Sequence, residues 1–244
     1  MHWILLRGLG REQAHWGGFP DRLRAAMPGD GVHTPDLPGT GRFCLQRSPT
    51  TIVEMLAAVK AQVEEVDAPM VLVGLSMGAM LALEWARQSP ERFRSVVLIN
   101  PSSRLNSVWH RLRPSCWPTV ARALLKRQAG EREALILGMV SNQTQVIQTL
   151  DAWRQIAQQR PVSRSNLLRH LYAASKYRPP SQLGVGGLVL SSQQDRLVNP
   201  RCSEALARHL QWPQSRHPSA GHDLALDAPD WLVEQLLSLG QGNT

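Results

Sequence analysis

Short apolar runs alternate with segments of helical periodicity along most of this 244-residue chain, and this alternation restricts the possible folds. The apolar runs lack the polar–apolar alternation of a strand that has one face in water. Strands of this kind are buried on both faces, in a parallel sheet covered by helices. The predicted strands are His2–Leu6, Val32–Asp36, Met70–Leu75, Phe93–Asn100, Leu188–Ser192 and Gln214–Pro218. The sequence therefore predicts an α/β fold with a mostly parallel sheet of about six strands and helices on both faces.

One long segment, residues 104–183, interrupts the alternation of strands and helices. Its predicted helices are Thr119–Gln128, Glu131–Met139, Thr144–Gln159 and Ser165–Ser175. Because strands resume after it, and because 244 residues fit one large domain, we interpret it as an insertion. We call residues 104–183 the cap segment, a helical cap inserted into an α/β core formed by residues 1–103 and 184–244.

The positive charge of the chain is concentrated in the cap segment. The whole sequence has 27 Lys and Arg against 19 Asp and Glu, a formal net charge of +8. The cap segment holds 13 of the basic residues and three of the acidic ones, so it carries +10 and the remainder carries −2. Two interpretations stay open: a solvated basic surface, or a docking face for a polyanion or an acidic protein.

The composition excludes several classes of protein. With 43% hydrophobic and 19% charged residues, the chain resembles a globular protein rather than a disordered one. It contains no apolar run long enough for a membrane span, and its apolar N-terminal run is too short for a secretory signal. Cys44, Cys116 and Cys202 are odd in number and widely spaced, which supports neither a disulfide framework nor a zinc cluster. We therefore expect a reduced, cytoplasmic protein that needs no metal or organic cofactor.

The segment Gly74-Leu75-Ser76-Met77-Gly78 joins a predicted strand to a predicted helix. A serine on such a sharp turn needs small neighbours, and the turn lifts its hydroxyl above the sheet edge. The helix that follows favours negative charge at its N-terminus. This strand–turn–helix context distinguishes the segment from an incidental glycine-rich connection. It predicts that Ser76 is a nucleophile.

A serine nucleophile needs a base and an acid that orients the base, expected in the order Ser, Asp, His. Asp195 follows the fifth predicted strand, and His222 lies in a loop after the last one. Because the carboxyl ends of parallel strands share one edge, these two side chains can meet Ser76 there. Asp223 and Asp227 follow His222 too closely to reach behind its ring, and we predict that they cap the final helix.

An acyl-transfer reaction also needs two N–H donors for the oxyanion of its intermediate. One is expected from Met77, the residue after the nucleophile. The other is expected from the loop after the first strand, where Gly8 and Gly10 permit close backbone approach. Leu9 lies between them and is the predicted second donor.

Taken together, these segments resemble the α/β-hydrolase superfamily over nearly the whole chain. The matching segments are Arg7-Gly8-Leu9-Gly10, Asp36-Leu37-Pro38-Gly39-Thr40-Gly41, the serine turn, Asp195 and Gly221-His222. Within the superfamily the chain is similar to small bacterial carboxylesterases such as the pimeloyl-[acyl-carrier protein] methyl ester esterases. The resemblance implies a cap over the site and, since the cap segment is basic, an acidic acyl-carrier protein as a partner. Arg7 stands where the family usually has histidine, and Ala79 where a second glycine is common.

The leading functional prediction is a serine hydrolase that cleaves a small acyl ester or thioester with Ser76, His222 and Asp195. A carbon–carbon bond hydrolase or lyase with the same triad is a second possibility. A third is a non-catalytic protein that docks an acidic partner through the cap segment. Arg154, Arg160 and Arg164 are the predicted residues for docking a carrier protein.

Nucleic acid is not expected as a partner, because the aromatic residues of the basic segment are predicted to pack inside the cap. Those residues are Trp109, Trp117, Trp153, Tyr172 and Tyr177.

Overall fold

The structure is a computed structural model, and it describes residues 1–63, 65–66, 69–144 and 146–241. These residues contain one six-stranded sheet in the order β2-β1-β3-β4-β5-β6, with every neighbouring pair parallel. The strands are β1 His2–Leu6, β2 Gly31–His33, β3 Met70–Leu75, β4 Phe93–Ile99, β5 Gly187–Ser192 and β6 Gln214–His217. The predicted α/β fold with a parallel sheet of six strands is confirmed.

Eleven α-helices are present among the described residues, and five of them lie in the cap segment. Those of the core are α1 Phe19–Ala26, α2 Ile52–Lys60, α3 Met77–Gln88, α9 Arg201–Leu210, α10 Leu224–Asp227 and α11 Pro229–Gln241. Those of the cap segment are α4 Val108–Arg111, α5 Trp117–Leu125, α6 Ala129–Val140, α7 Ile147–Gln159 and α8 Arg164–Lys176. None of the helices in the described ranges has the length and apolarity needed to cross a membrane.

The sheet is buried on both faces, as its continuous apolar strands predict. Leu72 of β3 packs with residues of α2, α3 and α9 on one face, whereas Val71 and Val73 pack with residues of α1, α10 and α11 on the other. All six residues of β3 are buried. Since side chains alternate across a strand, a fully apolar strand supplies both cores at once.

Three strands end earlier than the sequence predicts, and the last of them, β6, ends at His217 and not at Pro218. The second strand ends at His33, not at Asp36. Asp36 makes its hydrogen bonds with loop residues and with Gln62 and, among the described residues, none with a neighbouring strand. Its carboxylate accepts hydrogen bonds from the N–H groups of Gln13 (2.8 Å) and Arg42 (3.1 Å). The fourth strand ends at Ile99 because Asn100 has a φ of +44°, outside the β region.

The cap segment is helical, as predicted, with some differences in detail. The interpretation that the core and cap divide at residues 104 and 183 stays a prediction. Helix α4 was not predicted, because four residues are too few to show a helical period. The helix predicted from Thr144 crosses position 145, which lies outside the described residues, and α7 begins at Ile147. Helices α6 and α7 pack around their own small core, which includes Leu137 and Trp153.

The prediction that all five aromatic residues pack inside the cap is wrong for three of them. Trp153 and Tyr177 are buried, but Trp109, Trp117 and Tyr172 are 54%, 38% and 54% exposed. The rings of Trp109 and Trp117 stack with centroids 4.9 Å apart, and Trp117 donates its indole N–H to the backbone oxygen of Leu112. The two rings therefore pack against each other at the surface, and neither side chain is buried in the core.

Helix α3 approaches β1 so closely that only glycine fits at one position. A Cβ on Gly78 would lie well inside van der Waals contact with the backbone oxygen of Leu6. We expect Gly78→Ala to lower the free energy of unfolding by about 1–3 kcal/mol, because the obstructing atom is backbone and cannot rotate away. Denaturant midpoints measure the effect.

Gly138→Ala is the matched control for this prediction. Gly138 is an exposed residue within α6, and a Cβ there would meet nothing within 4 Å. The change should be neutral or should stabilise by about 0.5–1 kcal/mol, because alanine favours the helix. Equal denaturant midpoints for Gly78→Ala and Gly138→Ala would refute the close approach of α3 and β1.

Candidate active site

Ser76 lies at the sharp turn between β3 and α3, at the carboxyl edge of the sheet. Its φ of +58° is strained for a residue with a side chain, and its N–H donates to the backbone oxygen of Ile99 at 2.9 Å. A Cβ on Gly8 would come within 3.3 Å of the Ser76 Cβ, so the loop after β1 passes directly beside the serine. The turn therefore holds the Ser76 side chain next to the loop that contains Leu9.

His222 and Asp195 form a buried hydrogen-bonded pair. The distance from His222 Nδ1 to Asp195 Oδ2 is 2.7 Å, and both side chains are almost inaccessible to solvent. The other carboxylate oxygen, Oδ1, accepts hydrogen bonds from the N–H groups of Leu197 (2.8 Å) and Val198 (2.9 Å). These contacts fix Asp195, which in turn orients the imidazole. His222 Nε2 is buried and has no hydrogen-bond partner among the described residues, so it is free to act on a reacting group.

One cavity of about 320 Å³ brings the predicted site residues together. Ser76, His222, Leu9 and Met77 all line it, and Asp195 lies behind His222. No described residue accepts a hydrogen bond from the backbone N–H of Leu9 or Met77. Most of the remaining wall is apolar and comes largely from the cap segment: Val108, Leu112, Val120, Ala123, Leu124, Ile136, Met139, Val140, Trp153, Leu167, Leu171 and Ala174. The arrangement suits an apolar group placed next to a serine–histidine pair.

Asn100 connects the strand ends that position the site, and sequence reasoning missed it. Its side-chain amide donates to the backbone oxygen of His222 (2.7 Å) and to the hydroxyl of Ser192 (3.0 Å). Its side-chain oxygen accepts the N–H of Ser192 at 2.8 Å. Asn100 is buried and thereby ties the end of β4 to the end of β5 and to the histidine loop. The sequence signal that could have identified Asn100 is its place as a polar residue directly after an apolar strand.

Arg7 and Asp223 form a buried ion pair beside the site. The guanidinium contacts both carboxylate oxygens, at 2.6 Å and 3.2 Å, and each side chain is 3% exposed. The guanidinium also lies over the Trp16 ring, 4.7 Å from its centroid. The prediction that Asp223 caps the final helix is therefore wrong, since its carboxylate is held by Arg7. The pair links the loop after β1 to the loop that contains His222.

Asp227 joins the histidine loop to the cap segment. Its Oδ2 accepts hydrogen bonds from the N–H groups of Gly221 (2.7 Å) and Asn142 (2.8 Å), and its Oδ1 accepts one from the hydroxyl of Ser141. The predicted capping role of Asp227 is wrong too, because both oxygens are occupied by these donors. Its contacts fix the backbone directly before His222 against the end of α6.

His170 of α8 anchors the loop after β1 from the cap side. Its Nδ1 accepts the N–H of Gly10 at 3.3 Å, and its Nε2 donates to the backbone oxygen of Pro38 at 2.9 Å. Burial lowers the pKa of His170, so the neutral ring that these two hydrogen bonds require is maintained. Nothing in the sequence pattern distinguished this histidine.

The pKa of His222 is raised above its ordinary value. Burial by itself lowers this pKa, but the charge and hydrogen bond of Asp195 outweigh burial, and the charge of Asp223 adds to them. Arg7 acts in the opposite sense. The two carboxylates therefore stabilise the imidazolium that forms when His222 takes a proton.

The three arginines predicted to dock a carrier protein have partners within the chain. Arg154 is 46% exposed and lies 3.3 Å from Asp151, and Arg164 donates to backbone oxygens at the end of α5. Arg160 holds Glu12 of the core with both ends of its guanidinium, and Glu12 is almost fully buried. This contact gives Arg160 a structural role, which argues against treating it as a free docking charge.

Comparison with known families gives a match over nearly the whole chain. The sequence profile of the Alpha/beta hydrolase family matches residues 3–235. Among curated proteins, the biotin biosynthesis bifunctional protein BioHC of Cellvibrio japonicus (strain Ueda107) is 32% identical over 101 residues. That alignment covers 41% of this chain and 19% of the relative, so the match spans about a fifth of the length of BioHC.

Solved structures with similar folds include several hydrolases. An esterase from Exiguobacterium antarcticum superimposes with a TM-score of 0.81 at 14% identity, covering 99% of this chain and 92% of the other. A thermophilic esterase from Thermogutta terrifontis gives 0.74 at 20% identity, covering 99% and 89%. A hydrolase from Pseudomonas aeruginosa PA01 gives 0.77 at 20%, covering 99% and 90%. At these identities the likeness establishes the fold.

Proposed function

Because this chain belongs to the alpha/beta hydrolase family, we propose that it is a serine hydrolase that cleaves carboxylic esters or thioesters. The observation that carries the proposal is the buried Asp195–His222 hydrogen bond of 2.7 Å, beside a cavity lined by both His222 and Ser76. A serine, a histidine and an aspartate in this relation activate the serine hydroxyl for attack on an acyl carbon.

The reaction starts when His222 Nε2 takes the proton of the Ser76 hydroxyl and the serine oxygen attacks the acyl carbon. The Asp195 carboxylate holds the other ring nitrogen and stabilises the imidazolium. His222 then gives its proton to the leaving alcohol or thiol, and an acyl-enzyme remains on Ser76. A water molecule activated by His222 attacks that acyl group, and the acid is released with Ser76 restored.

The backbone N–H groups of Leu9 and Met77 are the proposed donors to the oxyanion. They come from the two turns that meet at the cavity, and helix α3 begins at Met77, so its N-terminus favours the developing charge. Removal of one such donor in other serine enzymes costs about 10²–10³ in rate. The Arg7–Asp223 pair and His170 position the loop that contains Leu9, and neither has to touch the substrate.

Turnover of a p-nitrophenyl ester series, from short to long acyl chains, tests this proposal. The wild type and Ser76→Ala are compared side by side. We expect wild-type turnover that is abolished in Ser76→Ala, with a preference for apolar chains that fit the 320 Å³ cavity. Unchanged midpoints of thermal unfolding would show that the variant is folded.

Two outcomes would contradict the proposal in different ways. Turnover that persists in Ser76→Ala would refute the nucleophile. Absence of turnover on every ester and thioester would favour a carbon–carbon bond hydrolase or lyase with the same triad. If phosphonate reagents that attack activated serines also failed to label Ser76, the binding-protein alternative would take precedence.

We expect a plot of kcat/KM against pH to have a rising limb, and we expect the midpoint of that limb to lie above the ordinary histidine pKa. Only neutral His222 can take the Ser76 proton, and the raised pKa keeps the ring protonated to a higher pH. Asp223→Asn should move the limb to lower pH, because it removes a negative charge and leaves the charge of Arg7 unneutralised.

Rates of p-nitrophenyl ester hydrolysis across neutral pH measure the position of this limb. Asp151→Asn is the control, since Asp151 is an exposed carboxylate on α7. A limb at or below the ordinary histidine value, or one that Asp223→Asn leaves in place, would contradict the assignment of His222 as the base.

A carrier-linked acyl ester is the more specific substrate that we propose. The +10 charge of the cap segment supports this proposal, because acyl-carrier proteins are acidic. Arg154→Glu with Arg164→Glu should raise KM for a carrier-linked ester relative to KM for the same ester without a carrier. Arg160→Glu is assayed separately because it also breaks the contact with Glu12.

Arg94→Glu is the control for carrier docking, since Arg94 is exposed on β4, outside the cap segment. It makes the same charge change in a different place. If Arg94→Glu and the cap variants change the ratio of the two KM values equally, docking through the cap is refuted.

The cytoplasmic location stays a prediction.

A further inference from the structure

The loop after β1, residues 7–12, is held by three different helices of the cap segment, and we call it the Leu9 loop. Its last three residues each have a polar contact with a different helix. The contacts are Gly10 with His170 of α8, Arg11 with Glu133 of α6, and Glu12 with Arg160 at the end of α7. Three consecutive residues of the core therefore meet α6, α7 and α8 at the same time.

The contact between Glu12 and Arg160 fixes both the position and the direction of the Glu12 side chain. The guanidinium donates from Nε to Oε2 at 2.8 Å and from Nη2 to Oε1 at 2.5 Å. Glu12 is 2% exposed, whereas Arg160 is 34% exposed. A guanidinium that holds both oxygens of a carboxylate is geometrically specific. The end of α7 therefore sets where this end of the Leu9 loop lies.

The contact between Arg11 and Glu133 is a second ion pair between the core and the cap segment. The two groups are 2.5 Å apart and 8% and 10% exposed, and the Arg11 guanidinium also lies over the Trp153 ring of α7, 4.6 Å from its centroid. Charged groups are stable when they are paired or hydrated, whereas a buried charge without a partner is costly. A small displacement of the cap segment is therefore unfavourable, and the contact has two favourable arrangements, seated or fully separated.

The backbone next to Leu9 lies directly against α8. Gly10 has a φ of +64°, and a Cβ on it would come within 2.6 Å of the Leu167 Cδ2 atom. Its N–H donates to His170 of the same helix at 3.3 Å. An oxyanion donor is effective only at about 2.7–3.1 Å from the oxyanion, and a misplacement of about 1 Å can cost a hundredfold in rate. The position of α8 therefore bears on the position of the Leu9 N–H.

We propose that the cap segment controls the oxyanion donor, because the Leu9 N–H lies where the oxyanion forms only when α6, α7 and α8 are seated on the Leu9 loop. Glu12 and Arg160 are then positioning residues, since they act through Leu9, and neither of them lines the catalytic cavity that the structure describes. A binding event that seats or displaces the cap segment changes kcat through this loop. This inference rests on the proposed function, since it concerns the oxyanion of the same reaction.

The first test compares a p-nitrophenyl ester with its thionoester, in which sulfur replaces the carbonyl oxygen. Sulfur accepts hydrogen bonds weakly, so the thionoester gains little from an oxyanion donor. Glu12→Gln should lower kcat for the ester about tenfold to a hundredfold, because a complete loss of one donor costs about 10²–10³. It should lower kcat for the thionoester much less and leave KM for both near the wild-type value. A loss of folded protein would lower both rates equally.

Glu84→Gln is the matched control. Glu84 of α3 is also a buried carboxylate, 7% exposed, and it is held by the half-exposed guanidinium of Arg87. Its loss should destabilise the protein but leave the ratio of ester to thionoester rates unchanged. A wild-type ratio in Glu12→Gln, or an equal change in Glu84→Gln, would overturn the proposal and leave the serine hydrolase intact.

Arg160→Lys and Arg160→Gln test the same contact from the side of the cap segment. Arg160→Lys keeps the charge but loses the planar fork, so it should retain part of the kcat that Arg160→Gln loses. The ester used carries no carrier protein, so a docking role of Arg160 does not contribute to the result. Full activity of Arg160→Gln on this ester would overturn the proposal.

Amide hydrogen exchange, followed by NMR, tests the coupling without any substrate. Three core amides donate to the cap segment, those of Gly10, Ser48 and Asp223. Their acceptors are His170, Asn166 and Val140, respectively. If the cap segment leaves its seat as one unit, all three amides should exchange faster in Glu12→Gln than in the wild type, and Glu84→Gln should leave them at the wild-type rates.

Faster exchange of the Gly10 amide alone, or of none of the three, would overturn the coupling between the cap segment and the Leu9 loop. If no ester is hydrolysed, the proposed function fails, and the exchange rates alone decide whether the cap segment holds this loop as one unit.

Discussion

Replacing Asp195 with asparagine is expected to lower kcat of ester hydrolysis by about 10⁴-fold while the fold is retained. In the wild type the carboxylate accepts the proton on His222 Nδ1 at 2.7 Å, which leaves Nε2 unprotonated for the serine proton. An asparagine amide can donate to Nδ1 and so stabilise the other tautomer, with the proton on Nε2. That tautomer cannot accept the proton of Ser76.

Steady-state kinetics on the best p-nitrophenyl ester measure the effect, and thermal unfolding verifies the fold. Asp195 also accepts two backbone N–H groups, of Leu197 and Val198, through its Oδ1, and an asparagine oxygen can keep accepting them. Asp151→Asn is the control and should leave kcat at the wild-type value. A loss of less than about tenfold in Asp195→Asn would mean that another carboxylate orients His222.

Breaking the Arg7–Asp223 ion pair is expected to cost about 3–5 kcal/mol of folding free energy. Arg7→Met leaves the Asp223 carboxylate buried and unpaired, since each partner is only 3% exposed. Activity should fall as well, because the pair links the loop that contains Leu9 to the loop that contains His222. Arg7→Met with Asp223→Leu removes both charges and should recover much of the stability.

An exposed ion pair of the same length is the control for this prediction. Arg22 and Asp230 are also 2.6 Å apart, but their side chains are 54% and 79% exposed. Arg22→Met should therefore change the free energy of unfolding by about 0–1 kcal/mol. Denaturant unfolding of the wild type and these three variants measures the difference. If Arg7→Met and Arg22→Met cost the same, burial is not what makes the Arg7 pair important.

The fold could be predicted from the sequence because apolar strands without polar alternation are compatible with few architectures. The first and third strands were placed to the residue, His2–Leu6 and Met70–Leu75, since apolar runs end there at glycine-rich or polar turns. The errors in strand length arose at polar residues that make hydrogen bonds outside the sheet, as the Asp36 carboxylate does with the N–H groups of Gln13 and Arg42. The short helix α4 lacked enough residues to show a period.

The candidate site could be predicted in part, for a similar reason. Ser76, Asp195 and His222 each follow a strand, and parallel strands bring their carboxyl ends to one edge, so topology alone placed them near one another. Asn100 and His170 were not predicted. Their roles depend on long-range hydrogen bonds, to His222 and to Gly10, that no local spacing encodes.

The parallel sheet, the sharp serine turn, the strand-end positions of Asp195 and His222, and the charge of the cap segment could all be predicted from the order of the residues. These properties are local, because they follow from hydrophobic periodicity, turn chemistry and composition. Which of the charges are neutralised could be seen only once the chain was folded. Arg7, Arg11 and Arg160 find carboxylates in distant segments, whereas Arg132 lies within the cavity without one among the described residues. Ion pairing depends on distance and burial in three dimensions, and a count of charges along the chain contains neither.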